Sequence, residues 1–263
     1  MLDTNKTVLH EISHADIVLT HQCNMNCPCC IDKFRNQSKD IIKPADIRKF
    51  LRILKEHTCK TKSFEFDKNP NIEILLLGGE PTMVGVDYLS FIAGMVHSFG
   101  FEICISTNGI KRDVIEQIIP FYNWVQITVR SKKEIDFWRK YKDKVNIKLP
   151  GDHTLTLEKF NSFVEETKDF ARKSLTMYFT PDFKELCADS KMWEVLSAAE
   201  WERCGSYLYT FINGVRVKRC IPGITNIADE PLIPKLYPNG NYNKTWFNEN
   251  QDSYLTRPCY KQA

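Results

Sequence analysis

The chain has 263 residues, of which 43% are hydrophobic and 26% are charged, with 36 basic and 33 acidic side chains and a net charge of +3. This composition excludes disordered and fibrous proteins, and so small a net charge argues against a nucleic-acid partner. No apolar stretch approaches the roughly 18 residues of a membrane helix, and the first 15 residues lack the apolar core of a signal peptide. We therefore expect a cytoplasmic globular protein with no membrane partner.

Six short runs of aliphatic, β-branched or aromatic residues predict β-strands. They are 16–20 (DIVLT), 72–77 (IEILLL), 102–106 (EICIS), 124–129 (WVQITV), 145–149 (VNIKL) and 175–179 (LTMYF). Apolar residues at helical spacing predict a helix in each gap, the first opened by Pro44 and the second closed by Gly100, and a further helix at 190–199. This alternation predicts an α/β fold whose parallel strands are joined by helical crossovers.

The loop after the first predicted strand holds four of the ten cysteines, in the segment HQCNMNCPCC at residues 21–30. A structural zinc site normally combines two short cysteine or histidine pairs, and here only Cys27 and Cys30 have that spacing. Cys23, Cys27 and Cys30 offer three thiolates to an iron–sulfur cube. Three thiolates on four irons leave one iron open to a substrate or cofactor.

Loops with polar or glycine-rich sequences follow the other predicted strands. They are LGGEPT at 77–82, STNG at 106–109, RSKK at 130–133 and PGDH at 150–153. Because functional sites of parallel α/β folds collect at the carboxyl ends of the strands, we expect these loops to meet the cysteine loop at one rim. Gly78 and Gly79 would allow close backbone approach there, and Glu80 adds a carboxylate.

The motifs CNMNCPCC and GGEP, together with the six βα units, resemble the radical S-adenosylmethionine (SAM) enzymes over roughly residues 16–200. The resemblance implies a partial (β/α)6 TIM-like barrel and a [4Fe-4S] cluster bound by Cys23, Cys27 and Cys30, with SAM chelated to the fourth iron. An electron from a flavodoxin- or ferredoxin-type donor would pass through the cluster and cleave SAM. The resulting 5'-deoxyadenosyl radical would remove hydrogen from a peptide or small-metabolite substrate.

The resemblance also implies which residues contact SAM. The methionine amino group would meet Gly78, Gly79 and Glu80, in a loop shaped by Pro81. The ribose or carboxylate would meet Ser106 and Asn108, with Thr128 and Arg130 in a similar position, while the adenine would meet Leu149, Pro150 and the backbone of Cys29. Cys29 stands where the family usually has an aromatic residue, and spacing favours Cys30 over Cys29 as the cluster ligand.

A C-terminal segment is predicted to form a hairpin, because two strand-like runs flank Asn213 and Gly214. In that hairpin Ile212 pairs with Val215, which sets Cys220 opposite Tyr207 and leaves Cys204 at its base. We divide the chain into a core at residues 1–203 and a small module at residues 204–263.

The module resembles the twitch domain of some radical SAM enzymes, whose longer form is called SPASM. This implies a second [4Fe-4S] cluster with Cys204, Cys220 and Cys259 as ligands and Cys187 as a candidate fourth. The match departs from the family pattern in two ways. One extra residue separates Gly214 from Cys220, and no cysteine follows Cys259.

The sequence is also compatible with other functions. Within the enzyme class, the alternatives are a glycyl-radical activase and a deazaguanine-synthase-like minimal enzyme, which usually lack a C-terminal auxiliary module. Outside it, the alternative is a non-catalytic α/β protein that binds structural zinc or iron. The single cysteines Cys59 and Cys104 are predicted to be buried thiols, and Asp152 and His153 to lie in a solvated loop. The basic run at residues 216–219 is interpreted as charge on an exposed strand.

Overall fold

The computed structural model describes residues 14–27, 39–57, 72–151, 154–177, 189–200, 202–204, 207–220 and 235–241. The strands are β1 His14–Val18, β2 Glu73–Leu77, β3 Glu102–Thr107, β4 Trp124–Thr128, β5 Val145–Gly151, β6 Arg172–Met177, β7 Glu202–Cys204, β8 Tyr207–Ile212, β9 Val215–Cys220 and β10 Lys235–Leu236. The helices are α1 Pro44–His57, α2 Val86–Ser98, α3 Arg112–Ile118, α4 Lys132–Trp138, α5 Leu157–Glu166 and α6 Ser190–Ala198.

All ten strands belong to one sheet, in the order β10-β1-β2-β3-β4-β5-β6-β9-β8-β7. Strands β1 to β6 are neighbours in sequence order and run parallel, which confirms the predicted mostly parallel α/β fold of the partial TIM-like barrel type. Right-handed crossovers between sequential parallel strands place their helices on the same side of the sheet. One face of the sheet is therefore covered by helices.

The covered face, which we call the outer face, carries the hydrophobic core. Alternate strand residues such as Ile74, Ile105 and Ile147 are fully buried in one cluster with Phe50 of α1 and Ile92 of α2. Local sequence fixes the helix starts: Ser131 forms a capping box before α4, and Thr156 and Asp189 cap α5 and α6. Pro44 begins α1, and Gly100, at φ +81, follows α2, as predicted.

The opposite face, which we call the inner face, is polar. Strand register puts Ser106, Gln126 and Asn146 side by side on β3, β4 and β5. A row nearer the carboxyl ends places Thr128, Lys148, Ser174 and Arg216 together on β4, β5, β6 and β9. Two strands begin earlier than predicted, because their first residues include polar residues that an apolar run does not mark. Strand β1 begins two residues early, at His14, and β6 begins three residues early, at Arg172.

The C-terminal hairpin has the predicted register. Ile212 pairs with Val215 and Tyr207 pairs with Cys220, around a turn in which Asn213 and Gly214 both have positive φ. The hairpin continues the main sheet, because β9 lies parallel to β6 with Ser174 opposite Arg216. Its strand β9 therefore ends at the same rim as β1 to β6. The domain boundary at residue 203 stays a prediction.

Candidate active site

The loop that carries the cysteines and the loop that carries the GGEP motif are joined backbone to backbone. Beyond the ends of β1 and β2, the N–H of Gly79 donates to the carbonyl of Thr20 at 2.9 Å, and the N–H of Glu80 donates to the carbonyl of Gln22 at 2.7 Å. These bonds extend the parallel ladder past the strand ends. Cys23 is the next residue along the first loop, so the ladder fixes where the cysteine segment starts.

Both glycines of the motif are required by this close approach. A Cβ atom on Gly78 would lie 2.2 Å from the carbonyl oxygen of Thr20, and one on Gly79 would lie 2.4 Å from that of Gln22. Gly78 also has φ +150, a conformation that other residues rarely adopt. The sequence predicts close approach to a ligand, whereas the approach that the structure describes is to the chain's own cysteine loop. Contact with SAM stays a prediction.

Glu80 links the second loop to the third, and only 1% of its surface is exposed. Its Oε1 accepts hydrogen bonds from the N–H of Thr82 at 3.0 Å and from the hydroxyls of Thr82 and Thr107 at 2.6 Å each. Its Oε2 accepts a 2.7 Å bond from the N–H of Asn108. Four donors satisfy the charge that burial would otherwise make costly. Pro81, which is also buried, begins the short 3-10 turn behind this carboxylate.

Asn108 connects this anchor to the cysteines. Its side-chain amide donates to Oδ1 of Asn24 at 2.7 Å and lies 4.0 Å from Sγ of Cys23. The N–H of Met25 points at the same sulfur from 3.4 Å. Two N–H groups directed at one sulfur stabilise a thiolate and, in an iron–sulfur protein, tune the cluster potential. The donor set therefore fits a cluster ligand at Cys23.

The described cysteines fall into two environments. Cys23 and Cys27 are both partly exposed, as ligands at a rim must be. Cys104, by contrast, is fully buried on β3, where burial first and the neighbouring Glu73 carboxylate second raise the pKa of its thiol well above the ordinary value. This supports the interpretation of Cys104 as an inert core residue. Other sequence predictions lie outside the described residues: Cys29, Cys30, Cys59, Asp152, His153, Cys187 and Cys259.

The other residues predicted to contact SAM lie on the inner face, in an exposed loop or in the hydrophobic core. Ser106 begins a polar ladder on the inner face, where its hydroxyl donates to Gln126 at 3.0 Å. Thr128 lies on the inner face of β4, and Arg130 follows on the exposed loop, where its N–H is held by Glu134 at 2.6 Å. The side chain of Leu149 is only 3% exposed and belongs to the hydrophobic core. Its neighbour Pro150 shares the inner-face register and is better placed to meet an adenine.

Comparison with known proteins bears on the family that the chain resembles. No protein-family model matches the chain. It is 25% identical over 231 residues to an S-adenosylmethionine-dependent nucleotide dehydratase from Fibrobacter sp. (strain UWH6), an alignment that covers 85% of this chain and 64% of that relative. The chain thus spans less than two thirds of the relative's length. The resemblance to the radical SAM superfamily is confirmed. It indicates that the chain is an enzyme.

Two solved structures show a partial similarity to the chain. Native anSMEcpe with bound AdoMet and Cp18Cys peptide is 16% identical, covers 62% of this chain and 50% of its own, and gives a TM-score of 0.45. Hexahistidine-tagged anSMEcpe with bound AdoMet is 15% identical, covers 62% and 49%, and gives a TM-score of 0.47. Among the described residues, no helix is long and apolar enough to cross a membrane.

Backbone register places two of the cysteines that are predicted to bind an auxiliary cluster. Cys204 on β7 and Cys220 on β9 both pair with Tyr207 of β8, one from each side. Two strand spacings, about 10 Å, separate them. Cys220 ends β9, which runs parallel to the barrel strands, so it lies at the rim that carries Cys23 and Cys27.

Sequence reasoning missed a charged group at the opposite end of the barrel. His14 lies between Asp16 at 2.9 Å and Glu73 at 3.2 Å, and Lys235 of β10 pairs with Asp16 at 3.1 Å. Burial alone would lower the pKa of His14, but its hydrogen bonds to Asp16 and Glu73 outweigh that effect and raise its pKa to about 9. Burial acts to raise the pKa of Asp16, yet Lys235 and His14 together hold it below its usual range. The alternation of polar residues on β1 was the available signal.

Thr107 was also missed, although it supplies one of the four donors to Glu80. It sits inside the predicted STNG loop between the two residues singled out there. Nothing in a single sequence shows that a threonine hydroxyl points at a carboxylate 27 residues away.

Proposed function

We propose that this chain is a radical SAM enzyme whose [4Fe-4S] cluster is bound by Cys23, Cys27 and Cys30. When bound, the reduced cluster supplies the electron that cleaves SAM to methionine and a 5'-deoxyadenosyl radical, which abstracts hydrogen from the substrate. The observation that carries the proposal is the connection from Glu80 through Asn108 to Cys23. These hydrogen bonds hold the Cys23 thiolate in a fixed position at the rim of the parallel sheet, next to the GGEP loop.

The chain's own residues have distinct tasks in this proposal. Met25 and Asn108 direct N–H groups at Sγ of Cys23, which lowers the cost of its negative charge. Glu80 keeps Asn108 in place, and its four bonds leave little of the carboxylate for other partners. The carbonyl groups of Gly78 and Gly79 are the acceptors that we assign to the methionine amino group.

An auxiliary [4Fe-4S] cluster in the C-terminal module is part of the proposal. Cys204 and Cys220 occupy one register row about 10 Å apart, a spacing that one cluster with its two Cys ligands can span. Cys259 and Cys187 are the proposed further ligands. Such a cluster at the rim could accept the substrate's electron after hydrogen removal. A flavodoxin- or ferredoxin-type protein in the cytoplasm is the proposed donor of the first electron.

The proposed substrate is a peptide or a small metabolite. Of the two, a small metabolite is favoured by the relative, which is named as a nucleotide dehydratase and which aligns with 85% of this chain. A nucleotide-like metabolite also suits the polar inner face, where Ser106, Gln126 and Asn146 are linked through Ser174 in a ladder of hydrogen bonds.

The test is anaerobic reconstitution with iron and sulfide, followed by reduction with dithionite in the presence of SAM. We expect release of 5'-deoxyadenosine, and we expect Cys27→Ser to abolish it while removing about four irons per chain. Cys104→Ala is the matched control, because that thiol is buried on β3 and should leave both readouts unchanged. If the wild-type chain binds iron but releases no 5'-deoxyadenosine, the enzyme proposal fails in favour of a non-catalytic metal protein.

The other enzyme classes are separated by the iron count. A glycyl-radical activase or a deazaguanine-synthase-like enzyme with one cluster would hold about four irons, whereas the auxiliary cluster raises the number to about eight.

A further inference from the structure

The net positive charge of the chain is concentrated in one short segment. Residues 39–57, which include α1, hold 6 of the 36 basic and 3 of the 33 acidic side chains. Their net charge of +3 therefore equals that of the entire chain, and the other residues balance at 30 basic and 30 acidic. Charge gathered this locally creates a positive surface potential that the composition of the whole chain does not reveal.

The basic side chains of α1 lie on its exposed face, since the apolar face of this helix is fully buried in the core. Arg48, Arg52 and Lys55 are exposed, and their spacing of four and three residues places them in one stripe about 10 Å long. Lys49 is exposed beside this stripe. Helix α1 therefore presents a continuous basic surface to solvent.

Three of these cations have no carboxylate partner in the described part of the chain. Arg48, Lys49 and Arg52 make no ion pair there, although α1 contains two acidic residues of its own. On α4, by contrast, Lys132 pairs with Asp136 at 3.1 Å. The charge on the α1 surface is thus available to a partner, because no such pair offsets it locally.

The stripe borders a groove between α1 and α2. The groove has a volume of about 520 Å³, and its lining includes Arg48, Phe91 and Gly94. The side chain of Phe91 is 52% exposed, and Gly94 leaves a gap beside it, because a Cβ there would have no atom within 4 Å. At the end of α2, the ammonium of Lys55 donates to the carbonyl of Phe99 at 3.1 Å. An exposed aromatic ring next to an arginine is a combination that protein interfaces favour.

The basic segment begins directly beside the cysteine loop. The side-chain amide of Gln22 donates to the carbonyl of Lys39 at 2.6 Å, and Thr20 forms an antiparallel bridge with Ile41. Cys23 directly follows Gln22, which places its Cα within about 15 Å of that of Ile41. Ile41 is itself 43% exposed. A protein that covered Ile41 and the start of α1 would therefore contact the chain close to the proposed cluster.

We propose that the α1 face, defined by Arg48, Lys49, Arg52 and Phe91, is the docking surface for a small acidic electron-donor protein. This inference rests on the proposed function, and it names where the first electron would enter. A negatively charged partner complements the basic stripe, whereas a basic partner would be repelled. Interfaces of electron-transfer proteins are small, below about 1,200 Å², which suits one helix and one groove. One electron would leave the reduced partner and pass to the proposed cluster, and no atom would be transferred.

The experiment measures binding of oxidised flavodoxin, chosen for an acidic isoelectric point, to the reconstituted full chain by biolayer interferometry at low salt. The Arg48→Gln/Arg52→Gln pair should weaken binding at least tenfold, mainly by slowing association. The control pair Lys133→Gln/Lys168→Gln removes the same charge from exposed positions elsewhere and should change binding less than twofold. The charge-conserving pair Arg48→Lys/Arg52→Lys should bind within about threefold of wild type, which separates loss of charge from loss of fold.

The aromatic part of the α1 face is tested separately. Phe91→Ser should weaken binding at least fivefold without changing its salt dependence, because this side chain carries no charge. Phe121→Ser is the matched control, since its ring is 50% exposed but lies in the turn before β4, on the side of α2 away from α1. This control should change binding less than twofold.

Several results would overturn the inference. Absence of flavodoxin binding by wild type, or equal weakening by the Lys133 and Lys168 control pair, would remove the docking surface. Tighter binding of anionic phospholipid vesicles than of flavodoxin, with the same dependence on Arg48 and Arg52, would assign the α1 face to a membrane surface instead. The proposed function is judged separately with dithionite, which reduces the chain without a protein partner. Release of 5'-deoxyadenosine without flavodoxin binding removes the surface and keeps the enzyme, whereas flavodoxin binding without 5'-deoxyadenosine does the reverse.

Discussion

Replacing Glu80 by glutamine tests whether this carboxylate holds the rim together. The substitution keeps the shape of the side chain but puts an amide nitrogen in place of one oxygen. If the nitrogen takes the position of Oε2, it faces the N–H of Asn108, and that 2.7 Å bond is lost. The other orientation loses the bond from the N–H of Thr82 and also forces the hydroxyls of Thr82 and Thr107 to turn from donors into acceptors. The first orientation is therefore the less costly one.

The cost can be worked from these bonds. Losing one hydrogen bond to a charged group costs about 2 kcal/mol, and the three that remain weaken because their acceptor is no longer charged. Part of this is offset because an amide is easier to bury than a carboxylate. We expect Glu80→Gln to lower the free energy of unfolding by about 3 kcal/mol. With an m-value of about 3 kcal/mol per molar urea, the midpoint would fall by about 1 M.

The assay is urea unfolding followed by far-ultraviolet circular dichroism, with Glu134→Gln as the matched control. Glu134 also accepts two backbone N–H bonds, at 2.6 and 3.2 Å, but at the exposed start of α4. Its replacement should cost about 0.5 to 1 kcal/mol. If Glu80→Gln costs no more than Glu134→Gln, the four bonds to Glu80 do not stabilise the rim and our reasoning is wrong.

Three further predictions concern other parts of the chain. The pKa of His14 rises from 6.5 to about 9 on folding, so its charged form stabilises the fold fully below pH 6.5. This contribution is about 2 kcal/mol after allowing for the 25% exposure of the side chain. It is lost as the pH rises through 9. His14→Gln should abolish that slope in unfolding measurements between about pH 6.5 and 9.5, and an unchanged slope would assign it to another group. Gly79→Ala should reduce the amount of cluster bound, because its Cβ would lie 2.4 Å from the carbonyl oxygen of Gln22. The control Gly94→Ala, whose Cβ would have no atom within 4 Å, should leave the iron content unchanged and stabilise α2 by about 0.5 to 1 kcal/mol. Equal iron content in both variants would contradict this prediction. Replacing Cys204 and Cys220 together by serine should remove about four of about eight irons per reconstituted chain, and an unchanged iron count would eliminate the auxiliary cluster.

The pairing of β9 with β6 changes the expected role of the C-terminal hairpin. A module that only capped the barrel would contribute contacts from above the rim. Because β9 continues the sheet, with Ser174 opposite Arg216, it contributes to the wall itself.

The order of the elements, the cysteine spacing and the hairpin register could all be predicted from the amino-acid sequence. These are local properties: apolar periodicity marks each strand and helix, and Asn213 with Gly214 can adopt the positive φ values that a two-residue turn requires. The GGEP motif was identified for the same reason, since its residues are contiguous.

The contacts that these residues make could not be predicted in this way, because they depend on the three-dimensional fold. Three contacts join residues that are far apart in sequence: the close approach of Gly79 to Gln22, the bond from Asn108 to Glu80 and the pairing of Ser174 with Arg216. Their proximity depends on which strands are neighbours and in what register, and a shift of one residue would turn every side chain to the opposite face. The pairing of β9 with β6 is one such case, because no local pattern indicates which strand the hairpin joins.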